Sequence, residues 1–300
     1  MVKKDISVSV ILNVYKRPET LQAQLECIQN QSMKVDEVLV WLNGIPDNDM
    51  TLIDEVINKS ALNVKTFRAS RNEGVWPRFL IGFLAKSEYL CLLDDDVAPG
   101  ELWLENAIRC SKKFNAVCGT RGLIFRTKGK YFPFYHYGWG NPNETDIEVD
   151  IIGHAWLFKR KWLYLYWNEK NSMEISDLAG EDMNLTASLQ KHGIKTFVPM
   201  HPADNKSLWG NAYFDESVGQ DRNSISLRKD AYEKFDKHLS FYIKNGFKLQ
   251  CEKGEGIVSR ERNIRISRNG SLYSFIYSNR YLYSYAKFGA RILRKLGIHI

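Results

Sequence analysis

The first hundred residues pass four times from a short strand-like stretch into a helix-like one, an order few folds can accommodate. Ile6, Val8, Val10 and Leu12 recur at every second position, which is the period of a strand. Pro18 then opens a segment in which Leu21, Leu25 and Ile28 recur at helical spacing. Val38, Val40 and Leu42 give a second strand ending at Asn43 and Gly44, and Asp47 and Asp49 stand where they can cap a helix through Ile53, Val56 and Ile57. A third strand is predicted over residues 64–67, a helix after Pro77, and a fourth strand in "EYLCLL", followed by another helix-like segment. Such alternation specifies a parallel sheet covered by helices, which binds ligands beyond the carboxyl ends of its strands. Asn13, Asn43, Arg68, Asp94, Asp95 and Asp96 all fall at such ends.

Three adjacent carboxylates repel one another by roughly 1 kcal/mol per pair even in bulk water. The triplet therefore calls for a divalent cation, an arginine cluster, or hydration at a sheet edge. Side chains two apart on a strand share a face, which lets Asp94 and Asp96 converge. Two oxygen ligands suit Mg²⁺ or Mn²⁺ completed by phosphate oxygens and water. In the second half, Glu181 and Asp182 open the helix-like "GEDMNLTASLQKHG", with Gly193 as its stop. Acids there are ordinary partners of the helix dipole, or a carboxylate kept ionised by the helix terminus and poised to take a proton from an acceptor hydroxyl. His201, just past the strand "IKTFVP", reads either as a structural histidine or as a neutral imidazole ligand. Residues 119–150, rich in aromatic, Gly and Pro residues, suit long loops and short strands. "IIGHAWLFKRKWL" reads as a strand running into a helix.

Five of these stretches, in order over residues 6–205, resemble the GT-A glycosyltransferases, in particular the family-2-like inverting enzymes. "VSVILNVYKRPETL" is similar to that family's opening strand and nucleotide loop, and "RNEGVWPRF" matches its N-x-G…R segment at Asn72, Gly74 and Arg78. "LLDDDV" is similar to its D-x-D motif, "GHAWLFKRKWL" to its acceptor-side strand and "GEDMNL" to its E-D helix. The resemblance implies an α/β fold of GT-A type: a Rossmann-like nucleotide-binding sheet fused to an acceptor-binding half. It implies that Asp96 binds Mn²⁺ or Mg²⁺, that Asp94 faces the ribose or a water on the metal, and that Asp182 is the catalytic base. Asn13, Tyr15, Asn43, Arg68, Arg71, Arg78, Asp94 and Asp95 would hold a nucleotide-sugar donor. His154, Trp156 and Glu181 would face a glycan or lipid-linked glycan acceptor, and His201 would join the metal. Tyr15 and Arg71 read equally as packing or salt-bridge residues. The aromatics Tyr131, Phe132, Phe134, Tyr135, Tyr137 and Trp139 suit either core packing or stacking on a sugar, as does Trp209. Asn43 stands where the family often has a base-reading aspartate, and an amide donates as well as accepts. Lys16 stands where an asparagine is frequent. The D-D-D triplet also resembles, more faintly, the exostosin-type retaining transferases. A nucleotidyltransferase would want glycines after the first strand, which "NVYKRPE" lacks, and a non-catalytic membrane-bound sugar-binding protein would leave Asp96 and Asp182 without purpose.

The 300 residues divide, on this reading, into a catalytic domain over 1–215 (donor half 1–100, acceptor half 101–215), a helical connector over 216–250 and a C-terminal extension over 251–300. The net charge of +7 sits wholly in that extension, which has ten Lys/Arg against three acids. A neutral body with a basic tail favours a surface-seeking extension over a nucleic-acid groove. Tyr273, Tyr277, Tyr281 and Tyr285 repeat at i, i+4, with Arg280, Lys287, Arg291 and Arg294 on the neighbouring flank of a helix. Tyrosine favours the headgroup region and basic residues anionic lipid, so the extension is expected to bind an anionic membrane surface. Five cysteines without C-x-x-C spacing, a start that reads as a strand rather than a signal peptide, and no long apolar run lead to an expected cytoplasmic setting at the inner face of the membrane.

Overall fold

A computed structural model describes residues 6–214, 218 and 230–252, so the basic tyrosine stripe of the extension lies outside the described residues. The chain runs β1 (Val8–Val14), α1 (Leu21–Gln29), β2 (Glu37–Asn43), α2 (Asp47–Lys59), β3 (Val64–Ala69), a short α3 (Pro77–Leu80) and β4 (Tyr89–Leu93). There follow α4 (Trp103–Phe114), β5 (Ala116–Phe125), β6 (Phe134–Gly138), β7 (Ile147–Glu148), β8 (Ile151–Lys159), α5 (Leu163–Asn168), α6 (Glu181–Gln190), β9 (Lys195–Val198) and α7 (Ala231–Lys244). One sheet takes the order β3-β2-β1-β4-β8-β5-β9-β7, with β6 paired to β5. The first four strands are parallel, as the alternation predicts, and β8 joins β4 antiparallel.

The sheet is covered on both faces, as parallel sheets generally are. Val8, Val10 and Leu12 face the core beneath α1, α2 and α4, whereas Ile11 faces a second core with Trp76, Phe79, Trp156 and Leu185. The polar positions of β1 are therefore not solvent-facing: Ser9 is buried and donates to Glu37 Oε1 at 2.8 Å, and Glu37 also pairs with Lys65 at 2.6 Å. A third core joins Leu123, Phe125 and Phe134 to Met183 of α6 and to Leu239 and Tyr242 of α7.

Two local expectations change. The N-cap of α2 is Pro46, and no side chain caps it; Asp47 and Asp49 lie in the first turn instead, where Asp47 accepts from Arg68. Residues 116–125 form a ten-residue strand rather than loops and short strands. Gly119 and Gly122 break the apolar pattern there because a Cβ at either would lie 2.4 Å from Ile152 or Val198.

Candidate active site

The buried run of β4 delivers Asp94, Asp95 and Asp96 to the carboxyl edge of the parallel strands, and each meets a different cation or potential cation. Arg78 Nη1 donates to Asp94 Oδ1, and Arg17 Nη1 donates to Asp95 Oδ1 at 2.6 Å. Asp96 Oδ1 faces His154 Nδ1 at 3.9 Å, too far for a hydrogen bond. The backbone beneath is fixed: Gln24 of α1 donates to the carbonyls of Asp94 and Val97, and Asn211 donates to that of Asp96. Burial pushes Asp95 up to about 7 even with Arg17 beside it, and raises Asp94 against the pull of Arg78. Burial opposes ionisation of Asp96 too, but the facing His154 and Arg17 hold its carboxyl below the usual range.

His154 reaches the triplet through a bulge. Gly119 pairs with Trp156 but Arg121 with Gly153, so β8 carries one residue more than β5 between those points. His154 takes up the excess with a left-handed φ of 68°, a costly conformation for a residue with a Cβ and one that clusters at functional sites. Its carbonyl accepts from Asp94 N at 3.0 Å, and Trp139 stands edge-on to its ring at 5.0 Å. One ligand atom each from Asp94, Asp96 and His154 lies within 4.8 Å of the others. Asp96 Oδ1 and His154 Nδ1 are both buried with no hydrogen-bond partner. Two such facing acceptors are what a divalent cation satisfies, and an O,O,N set fits Mn²⁺. The imidazole set against the carboxylates is therefore His154, expected to face the acceptor, and not His201. His201 is buried elsewhere: Nδ1 donates to Pro199 O at 2.7 Å and Nε2 accepts from Gly210 N at 3.3 Å. Burial lowers its pKa to about 4, which keeps the ring neutral.

Arg78 joins the two halves of the crevice. Its Nη2 donates to Glu181 Oε1 at 2.6 Å while Nη1 holds Asp94, and its guanidinium lies 4.6 Å above the Trp156 ring. Burial disfavours the charge, but the two carboxylates more than restore it. Arg78, Glu181 and Trp156, expected to touch donor or acceptor, are thus engaged inside the protein. Trp156 is a core side chain whose Nε1 donates to Ile152 O. Asp182 begins the next step of α6, half-buried, accepting from Met183 N at 2.7 Å. Burial and the neighbouring Glu181 charge raise its pKa to about 8, so the helix terminus does not keep it ionised as expected. Gly180 caps the helix at φ 92°, and a Cβ there would lie 2.3 Å from His238 Nδ1 of α7.

The side expected to hold the donor is a knot of amides. Asn43 Nδ2 donates to Asn72 Oδ1 at 3.0 Å and to Gly74 O at 2.9 Å, and its Oδ1 accepts from Glu73 N at 2.8 Å. Asn72 in turn donates to Tyr15 Oη. Asn43 therefore spends its side chain on the 72–74 turn rather than presenting it to a base. Arg68 donates to Asp47 and to Ile45 O, exposed Arg71 pairs with Glu73, and Asn13, the last residue but one of β1, lies on the face of Ile11. Trp209 packs near His201 and donates to Pro202 O, while Tyr131, Phe132 and Phe134 pack with one another beside α7. Arg17 was not foreseen as a site residue. The signal was the triplet's need for positive charge together with a cation straight after the first strand.

A mixed sheet whose parallel strands deliver an acidic triplet to a crevice shared with an acidic helix start defines a glycosyltransferase of GT-A type. The sequence model of glycosyl transferase family 2 matches residues 9–167, and the chain belongs to that family. It is similar to a chondroitin synthase of Escherichia coli, 30% identical over 140 residues, which is 42% of this chain and 19% of that one. A chondroitin synthase of Pasteurella multocida is 30% identical over 115 residues, 35% of this chain and 11% of the relative. A hyaluronan synthase of Pasteurella multocida is 29% identical over 113 residues, 34% of this chain and 11% of the relative. The matched stretch thus spans a fifth or less of these relatives' length. Among the described residues no helix is long and apolar enough to cross a membrane.

Proposed function

We propose that the chain transfers a sugar, with inversion, from a nucleotide-sugar to a hydroxyl of a glycan or lipid-linked glycan in polysaccharide synthesis, a class of product named in all three relatives. The observation that carries this reading is the pair of orphaned acceptors, Asp96 Oδ1 and His154 Nδ1, in a crevice that Arg78 ties to the helix bearing Asp182. Asp96, His154 and Asp94 would hold Mn²⁺ or Mg²⁺, which when bound offsets negative charge on the departing diphosphate. Asp182 takes the proton of the acceptor hydroxyl as that oxygen bonds to the anomeric carbon. The bond from that carbon to the diphosphate breaks, and its electrons leave with the phosphate. Arg17 neutralises Asp95 throughout, and Asn43, Asn72 and Tyr15 shape the donor loop. The basic tyrosine-bearing extension adds an anionic membrane surface as a partner, at the cytoplasmic face.

The test is a thermal-shift series with nucleoside diphosphates, with and without Mn²⁺. The wild type should be stabilised more by the pair than by either alone, and D96A and H154A should lose that excess. Full metal-linked stabilisation in D96A overturns the metal assignment, and a product that retains the donor's anomeric configuration overturns inversion.

A further inference from the structure

Residues 77–84 have two sides. The first turn buries Arg78 and Phe79 against the site and the core, while Leu80, Phe83 and Leu84 turn outward, 53%, 45% and 56% exposed. Gly82 presses this segment onto its neighbour: a Cβ there would lie 2.8 Å from Leu163 Cδ1 and 2.9 Å from Leu90 Cδ1. Tyr164, next to Leu163 on α5, is 66% exposed. The two stretches are also stitched by Arg160, whose N donates to Glu88 O and whose Nε donates to Ser87 O. Four large apolar side chains are therefore exposed on two segments that pack against each other at Gly82 and Leu163.

The charges around them are of one sign. Lys86, Lys159, Arg160 and Lys161 border the patch, and Glu88 is the single acid in residues 77–88 and 159–166. Among the described residues no carboxylate pairs with Lys86, Lys159 or Lys161; Lys159 lies over the Trp162 ring instead. Protein–protein interfaces are depleted in lysine, and a two-fold copy of this chain would set these cations against their own equivalents. A lipid surface suits both features. Aliphatic and aromatic side chains enter the boundary between headgroups and acyl chains, tyrosine settles at headgroup level, and each nearby lysine gains from anionic lipid.

We propose that Leu80, Phe83, Leu84 and Tyr164, bordered by Lys86, Lys159 and Lys161, seat the catalytic body itself on an anionic lipid surface. This site uses no residue of the C-terminal extension, and the proposal rests on and deepens the membrane partner proposed above. Leu84 lies six residues beyond Arg78, about 10 Å along the segment, so the crevice opens close to the headgroup layer. A lipid-linked acceptor would then meet Asp182 without leaving its membrane.

The full-length chain is sedimented with vesicles of phosphatidylcholine alone and of phosphatidylcholine with phosphatidylglycerol. The double variants F83S/L84S and K86E/K161E change only exposed side chains. Each should bind the anionic vesicles at least about tenfold more weakly than wild type, while Mn²⁺-linked nucleotide stabilisation and transfer to a water-soluble acceptor stay unchanged. Wild-type binding by either variant, or a wild type that ignores anionic vesicles, overturns the proposal. So does a patch variant that loses self-association in solution but keeps vesicle binding, which would make the surface a contact between copies. Transfer to the soluble acceptor reports separately on the proposed reaction.

Discussion

An aspartate with a pKa of about 8 is protonated through most of the neutral range, so as the proposed base Asp182 must lose that proton in the free enzyme before it can accept another. The kcat/KM for transfer should accordingly rise about tenfold per pH unit and level off above pH 8. D182N should lower turnover by about 10²–10⁴-fold and leave nucleotide affinity intact. An acid limb near pH 4 would contradict the raised pKa, and a D182N enzyme as fast as wild type would remove Asp182 from the chemistry. Arg17 offers a second check at this scale. Its ion pair with Asp95 is nearly closed to solvent, 11% and 12% exposed, and deleting one partner of such a pair costs about 3–5 kcal/mol. At pH 8, where Asp95 is ionised, R17A should lower the free energy of urea unfolding by up to about that amount. The need for a countercharge at the triplet could be read from three adjacent aspartates, but its source could not. Arg17 and Arg78 lie 78 and 16 residues from their partners, and only the folded sheet sets those separations to contact distance.

The start of α6 depends on an element far away in sequence. Ser172 N and Oγ meet the Tyr242 hydroxyl, Ser172 Oγ meets His238 Nδ1 at 2.7 Å, and His238 packs against Gly180. A methyl group at Gly180 would need a left-handed backbone and would strike the His238 ring. G180A should therefore destabilise the fold by about 2–5 kcal/mol and slow transfer more than it weakens nucleotide binding. Calorimetry and steady-state kinetics on the same sample test both, and an unperturbed melting temperature would contradict the packing described. Regular elements were the legible part of the chain. The period of β1, the spacing of α1 and the unbroken apolar run of β4 each follow from burial on fixed faces. The bulge in β8 left no such trace, because an extra residue is defined by its pairing with β5. For that reason the sequence pointed to His201 as the metal's imidazole and left His154 to the acceptor. Gly119 and Gly122 hid β5 for the opposite reason, since side chains of other strands and loops fill the space above them.

Across the whole molecule, buried ionisable groups give stability an asymmetric dependence on pH. Burial lowers His201 and His238 to about 4, so each contributes stability that is complete above about pH 6.5 and lost as pH falls toward 4, roughly 3 kcal/mol apiece. Asp95 and Asp182 are raised to about 7 and about 8, so their contribution is complete below about pH 4 and is lost as pH rises through those values. Between pH 6.5 and 8 the carboxylates act without opposition from the histidines. The metal-free protein should lose roughly 2–3 kcal/mol over that interval, and D182N should flatten most of the slope. Thermal melts in chelator at both pH values measure it, and a melting temperature that rises toward pH 8 would refute it. The continuous sheet carries a different lesson. The parallel strands of the first hundred residues and the strands that follow meet along the β4–β8 ladder, where five residue pairs are in register. A recombinant that takes its first hundred residues from one relative and the remainder from another would split that ladder and mismatch both cores. Exchange of parts within the family should succeed where the chain leaves the sheet, so new sugar preferences are more readily grafted through the loops at its carboxyl edge than by trading halves.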